Sequence, residues 1–293
     1  MDINFELYKI FYYAAHSGSF TGAAEKLFIS QSAVSQAVKN LEEKIGSQLF
    51  VRKSRTFYLT REGELLFKHI EQAFNFIRTA ENKIHEIQTL ASGEIRIGAS
   101  DTVCKYHLIP YIEGFIKKYP GIKIQLINRT SSQILGILKN GLIDFGIVTL
   151  PVHDYSIRVE EFLSVEDIFV ASNRFYSLKG KTSELNELSD YPFLMLQKNS
   201  STRQNLDNHL KQAGMVISPE IELESVDLLV EFAKIGFGIA HVLKASAAQA
   251  IEKGELFEVK TSKVLPPRIL GIITIDKVPL SRSSGEFINF LKT

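Results

Sequence analysis

Ser32, Ser35, Gln36 and Lys39 recur at i, i+3, i+4 and i+7, a spacing that sets all four on one face of a helix. Each ends in a hydrogen-bonding group and none is acidic, which suits the base edges and phosphates of a DNA major groove. A plain solvated face has the same spacing, so the neighbouring residues decide the reading. Between Lys44 and Arg61 stand Lys44, Arg52, Lys53, Arg55 and Arg61, with no Asp or Glu among them. Arg52-Lys53-Ser54-Arg55 falls between two β-prone runs, Leu49 to Val51 and Thr56 to Leu59, and reads as the charged tip of a hairpin. Such a tip contacts the phosphate backbone, which fixes docking without reading sequence.

Two further clusters suit small oxyanions. Ser100-Asp101-Thr102 directly follows an expected strand, and Ser200-Ser201-Thr202-Arg203 directly precedes an expected helix. Their hydroxyls, the free amides of a helix start and one guanidinium match a carboxylate or phosphate. Ordinary helix capping uses the same residue types and stays open as the alternative. Asn128, Thr130 and Thr149 follow other expected strands and are candidates for the same cleft. Arg203 either faces that cleft or forms an ion pair within its own lobe.

Other chemistry finds no support. Gly236-Phe237-Gly238 lacks the third glycine and the strand–helix setting of a dinucleotide site. His107, His153, His209 and His241 are scattered, and neither a nucleophile elbow nor a phosphate-binding glycine loop is present. Cys104 is alone, which excludes an internal disulfide and a resolving partner, and no zinc spacing occurs. The reading is a non-enzyme with no cofactor and no metal.

The elements that must position these residues follow from periodicity. Tyr8, Phe11, Tyr12 and Ala15 mark a first helix that Ser17-Gly18-Ser19 stops. A short helix is expected around Thr21 to Phe28, with Ala23, Ala24 and Leu27 inward. Ser30 caps a third from Gln31 to Ile45, its inward stripe Val34, Val38, Leu41 and Ile45, and Gly46 ends it. Two short helices joined by a tight turn form a helix-turn-helix layout. A long helix is expected from Thr60, the cap, to about residue 91. On it Leu66, Ile70, Ala73, Ile77, Ala80, Ile84 and Ile87 repeat at intervals of four and three. That narrow heptad seam calls for a partner helix and hence a dimer. Beyond Gly93 short strands alternate with helices, which predicts a parallel sheet covered by helices. Strands are expected at residues 94–99, 122–127, 144–148, 167–171, 193–196, 220–223, 238–242 and 269–275. Helices are expected at 106–119, 131–140, 202–212, 226–234, 245–252 and 284–291.

The chain has 293 residues, 45% of them hydrophobic, and its 34 basic and 33 acidic residues leave a net charge of +1. This is ordinary globular composition, so any nucleic-acid site must be local. Neither a signal-peptide layout nor an apolar run of about 18 residues is seen, so the expectation is a cytoplasmic protein without a membrane span.

The run from Ser17 to Gly63 resembles the winged helix-turn-helix of LysR-type transcriptional regulators. Ser32 stands where many members have proline. The resemblance implies that Gln31, Ser32, Ser35, Gln36 and Lys39 face DNA and that Arg52, Lys53 and Arg55 belong to the wing. It implies a winged head at 1–60, a dimerisation helix at 61–91 and an α/β effector-binding domain at 92–293. That domain would resemble two lobes of a type 2 periplasmic binding protein, lobe I at about 92–163 and 267–293 and lobe II at about 164–266. Ser100 and Thr102 on one lobe, and Ser201 and Thr202 on the other, match effector positions in the cleft. The implied partners are promoter DNA, a small and anionic effector, RNA polymerase, and a second copy of the chain in a dimer or a dimer-of-dimers tetramer. A solute-binding protein would lack residues 1–91. A constitutive DNA binder with an empty cleft would show no ligand-dependent change in DNA binding.

Overall fold

The computed structural model describes residues 3–53, 56–88, 93–212 and 214–292. The side chains of residues 52, 53, 56, 82, 83 and 85–88 lie outside that description, as does Arg55. Two compact units divide at Glu81 and Asn82.

In the first unit, α1 (Phe5–Ser17), α2 (Phe20–Leu27) and α3 (Gln31–Ile45) precede a hairpin of β1 (Phe50–Lys53) and β2 (Thr56–Leu59). Capping sets the helix ends. The Ser19 and Ser30 hydroxyls accept from Gly22 N and Ala33 N, and Gly18 and Gly46 close α1 and α3 in the left-handed conformation. The core joins Ile10, Ala14, Ala23, Val34 and Val38 from three helices. Ile45, expected inward, is exposed, because the last turn of α3 overhangs this core. On α1 the buried residues are Ile10, Phe11 and Ala14, while the rings of Phe5 and Tyr12 lean on Phe74 of the next helix.

That helix, α4 (Arg61–Gln88), begins where the Thr60 hydroxyl accepts from Gly63 N and donates to the Gln48 carbonyl. Gly63 is required there: a Cβ would lie 2.1 Å from the Leu49 carbonyl oxygen. Leu66 and Phe67 pack with Phe11, Leu41 and Leu49. Leu66 therefore serves its own head's core, a correction to its place in the seam. Ile77 and Ile84 are 41% and 63% exposed, and Ala80 is exposed too.

The second unit holds two mixed sheets. The five-stranded sheet has the order β4-β3-β5-β13-β6 and comprises β3 (Gly93–Ala99), β4 (Ile122–Asn128), β5 (Phe145–Thr149), β6 (Ile157–Val165) and β13 (Arg268–Ile275). Its β3 is followed by one α turn, α5 (Asp101–Val103), a π turn at Cys104–Leu108 and α6 (Ile109–Lys118). Helix α7 (Ser131–Lys139) follows β4, and α12 (Arg282–Phe290) follows β13. The six-stranded sheet, ordered β10-β9-β11-β7-β12-β8, contains β7 (Asp167–Ser172), β8 (Thr182–Ser183), β9 (Phe193–Leu196), β10 (Ile221–Leu223), β11 (Ile239–Leu243) and β12 (Leu256–Thr261). Its helices are α8 (Leu185–Leu188), α9 (Ser201–Gln212), α10 (Val226–Lys234) and α11 (Lys244–Glu252).

The sheets depart from the all-parallel expectation. Strand β13 runs antiparallel to β5 and β6, and β7 runs antiparallel to β11 and β12. The chain crosses between sheets from β6 to β7 and returns from β12 to β13, so antiparallel strands carry both crossings. Strands β6, β8 and β12 were not expected from the sequence. Among the described residues, no helix is long and apolar enough to cross a membrane.

Candidate functional site

The first site is the outer face of α3. Its N-cap is Ser30, and its opposite stripe of Val34, Ala37, Val38 and Leu41 is buried. That anchoring leaves Gln31, Ser32, Ser35, Gln36 and Lys39 all exposed on one side. The Ser32 hydroxyl pairs with the Ser30 hydroxyl at 2.9 Å, and Gln36 Nε2 donates to Asn40 Oδ1 at 2.9 Å. Lys39 approaches Glu43 only to 3.8 Å, with both side chains mostly exposed, a pairing that DNA phosphates could displace. The hairpin pairs Arg52 with Phe57 and Lys53 with Thr56, and the Ser54-Arg55 part of the expected basic tip lies outside the described residues.

The second site is a cavity of about 630 Å³ in the second unit, walled by both sheets' loops. Ser100, Thr102, Asn128, Thr130, Thr149, Ser201 and Thr202 all line it. Four helical segments begin at or beside its wall: three at the lining residues Asp101, Ser131 and Ser201, and α10 directly after the lining residue Ser225. Ser100 and Ser225 already cap their helices, accepting from Val103 N and Leu228 N, while Thr130 forms a capping box with Gln133. Capping does not exhaust these junctions, since a cap satisfies one amide and leaves others of the first turn free. Four positive helix ends around one cavity favour a negative guest.

Arg203 is a correction. It is 3% exposed, its Nε and Nη1 donate to Asp207 and Glu222 at 2.8 Å each, and Nη1 also meets the Leu196 carbonyl. A buried guanidinium needs such partners, so it turns into its sheet and away from the cavity. The cations on the cavity wall are Arg129 and Arg268. Among the described residues Arg129 pairs with no carboxylate; its Nη1 donates to the Asn128 carbonyl at 2.7 Å. Arg268 forms a two-point pair with Asp167 and reaches the Thr149 hydroxyl at 3.1 Å. Since Arg268 opens β13 and Asp167 opens β7, this pair joins the two sheets where the chain crosses between them.

His107, also on the wall, has its pKa lowered by burial and then by Arg268, and so is held neutral. Beside the cavity, Asp227 at the start of α10 takes Lys105 at 2.7 Å and the Tyr106 hydroxyl, tying one sheet's helices to the other's. Burial pushes the Cys104 thiol up to about 11, with Asp101 adding to the shift, which leaves it an inert thiol. Sequence reading missed Arg129, although it stands between two nominated residues. It missed Ser225 despite the capping signal of a serine before an apolar run.

The chain matches the family model for the bacterial regulatory helix-turn-helix protein, lysR family, over residues 5–64, and that for the LysR substrate binding domain over residues 88–293. It belongs to the LysR family and is a DNA-binding transcriptional regulator. It is 32% identical to the "Probable RuBisCO transcriptional regulator" of Emiliania huxleyi, with 94% of this chain and 91% of the relative covered. It is 30% identical to the HTH-type transcriptional activator CmpR of Synechocystis, over 80% of this chain and 76% of that one. The regulatory domain of Synechocystis CcmR, solved in complex with 2-PG, shares its fold with a TM-score of 0.63 and 24% identity, over 68% of this chain and 96% of that one.

Proposed function

We propose that this regulator takes a small anionic metabolite into the cavity between its two lobes and that occupancy changes how its heads engage promoter DNA. The domains would fall at 1–60, 61–91 and 92–293. Gln31, Ser32, Ser35, Gln36 and Lys39 read the operator, and Arg52, Lys53 and Arg55 hold the phosphates. The seam from Ile70 to Ile87 on α4 pairs two chains, or four as a dimer of dimers, and RNA polymerase is the downstream partner. The protein acts in the cytoplasm.

The observation that carries the effector reading is the convergence of four helix starts, with Arg129 and Arg268, on one cavity. Ser100, Thr102, Asn128, Thr130, Thr149, Ser201 and Thr202 supply the neutral hydrogen bonds. Because the CcmR regulatory domain holds 2-PG, that compound is the first probe. Calorimetric titration of 2-PG and of inorganic phosphate into the full chain should give saturable binding. Thr102→Val and Thr202→Val, which keep shape and remove one hydroxyl, should each weaken it by roughly five- to tenfold. Bound ligand should shift operator affinity in a gel-retardation assay. Ligand affinity unchanged in both variants would place the anion elsewhere.

A further inference from the structure

A second cavity of about 330 Å³ lies behind the crossing strands. It shares one residue with the front cavity, Arg268, and otherwise uses the sequence neighbours that point the other way. The front takes Thr149 and Leu270, and the rear takes Leu150 and Ile269. Neighbouring strand residues face opposite sides of a pleated sheet, so the two cavities open on opposite faces of the crossing. Among the described residues, two buried side-chain atoms lack a hydrogen-bond partner, His107 Nε2 and His209 Nε2. His107 belongs to the front wall and His209 to the rear wall. A buried polar atom without a partner is costly and asks for a reason. Here the same signature marks both cavities.

We propose that the rear cavity is a second small-molecule site and that it takes an uncharged ligand with a hydroxyl group on an apolar body. The charge follows from the wall. Arg268 is already neutralised by the Asp167 carboxylate, and exposed Glu161 at the rim repels anions. Asn205 and His209, one helical turn apart on α9, offer hydrogen-bonding groups and no carboxylate or ammonium. His241, 3% exposed and with its ring tilted against that of Phe169, is held neutral because burial lowers its pKa to about 4. Between them, Leu150, Leu206, Leu265 and Ile269 supply apolar surface. A hydroxyl both donates and accepts, so it satisfies an imidazole nitrogen in either tautomer.

Phenol is the probe, with benzoate as its charged counterpart. Phenol should raise the melting temperature of the full chain progressively, with the logarithm of its concentration above the Kd, and calorimetry should give one saturable site. Leu265→Trp, which fills the cavity, should abolish binding. His209→Phe keeps the ring and removes its nitrogens, and should weaken binding roughly five- to tenfold. Thr102→Val in the front cavity should leave phenol binding unchanged, and benzoate should not bind in a His209-dependent way. The proposal is overturned if the wild-type chain does not bind phenol, or if phenol binds equally to the Leu265 and His209 variants. Benzoate binding that matches phenol and falls in His209→Phe also refutes it. Failure here leaves the front cleft untouched, because Thr102→Val and Thr202→Val report on that site alone.

Discussion

Asp167→Asn keeps the shape of the side chain and removes its charge, which strands the Arg268 guanidinium where the two sheets meet. The side chains of Arg268 and Asp167 are 7% and 5% exposed, and the carboxylate takes both Nε and Nη2 of the arginine. Breaking a buried pair from one side costs about 3–5 kcal/mol, because the remaining charge is uncompensated. Arg268 retains the Thr149 hydroxyl and borders the front cavity, where water can reach it, so the lower end applies. For a domain of this size roughly 3 kcal/mol lowers the melting temperature by about 6–12 °C. Replacing both partners, Asp167→Leu with Arg268→Met, removes the stranded charge and should recover most of that loss. The measurement is thermal and denaturant unfolding of residues 92–293 for the wild type, the single variants and the double variant. A single change costing less than about 1 kcal/mol, or a double variant as unstable as the two losses added, would refute the reasoning.

The remaining predictions concern three other sites. Because His241 has a folded pKa of about 4 against 6.5 in the unfolded chain, only the unfolded chain gains its proton between those values. Its contribution to stability is constant above pH 6.5 and is lost as pH falls toward 4, by on the order of 3 kcal/mol. His241→Gln should flatten that part of the stability–pH curve, and an unchanged curve counts against the assignment. Gln36→Ala should reduce discrimination between operator and random DNA, by about 1–3 kcal/mol if the amide reads one base, whereas Arg52→Ala should weaken binding to both and make its salt dependence shallower. Competition binding at several salt concentrations separates these outcomes, and operator binding unaffected in both variants would refute the assignment. Ile77→Glu should convert the dimer to monomer in sedimentation and abolish tight operator binding, since a symmetric seam would bury two unpaired carboxylates. Unaltered assembly would remove Ile77 from the seam.

Much of the DNA-reading head was legible because its signals are local. Caps, glycine stops and the 3.6-residue period set α3 to the residue, and its polar face followed. Strand β6 was missed because its alternation is broken. Leu270 pairs with Leu163 and Gly271 with Glu161, so Phe162 is left over in a bulge and the two glutamates before it fall out of period. Strand β12 lies between β7 and β8 and starts with two adjacent buried residues, Leu256 and Phe257, which is no clean period of two. The hydroxyls of the front cavity were found from strand-to-helix junctions, which are contiguous in sequence. The charges were not. Arg203 is claimed by Glu222 nineteen positions away, and Arg268 by Asp167 across 101 positions, and nothing local encodes either pairing. The Arg203–Asp207 pair, one helical turn apart, was the readable warning.

Gly63 sets a mechanical rule for the head. The missing Cβ lets α4 lie directly against the Leu49 carbonyl, while Thr60 bonds to both Gln48 and Leu49 and Leu66 enters the head's core. No compliant joint separates the first turns of the long helix from the surface that reads DNA. The helix therefore acts as a crankshaft: turn it about its axis and α3 sweeps through the same angle. A rotation of that shaft would reorient the reading surface without any residue of the head altering its own conformation.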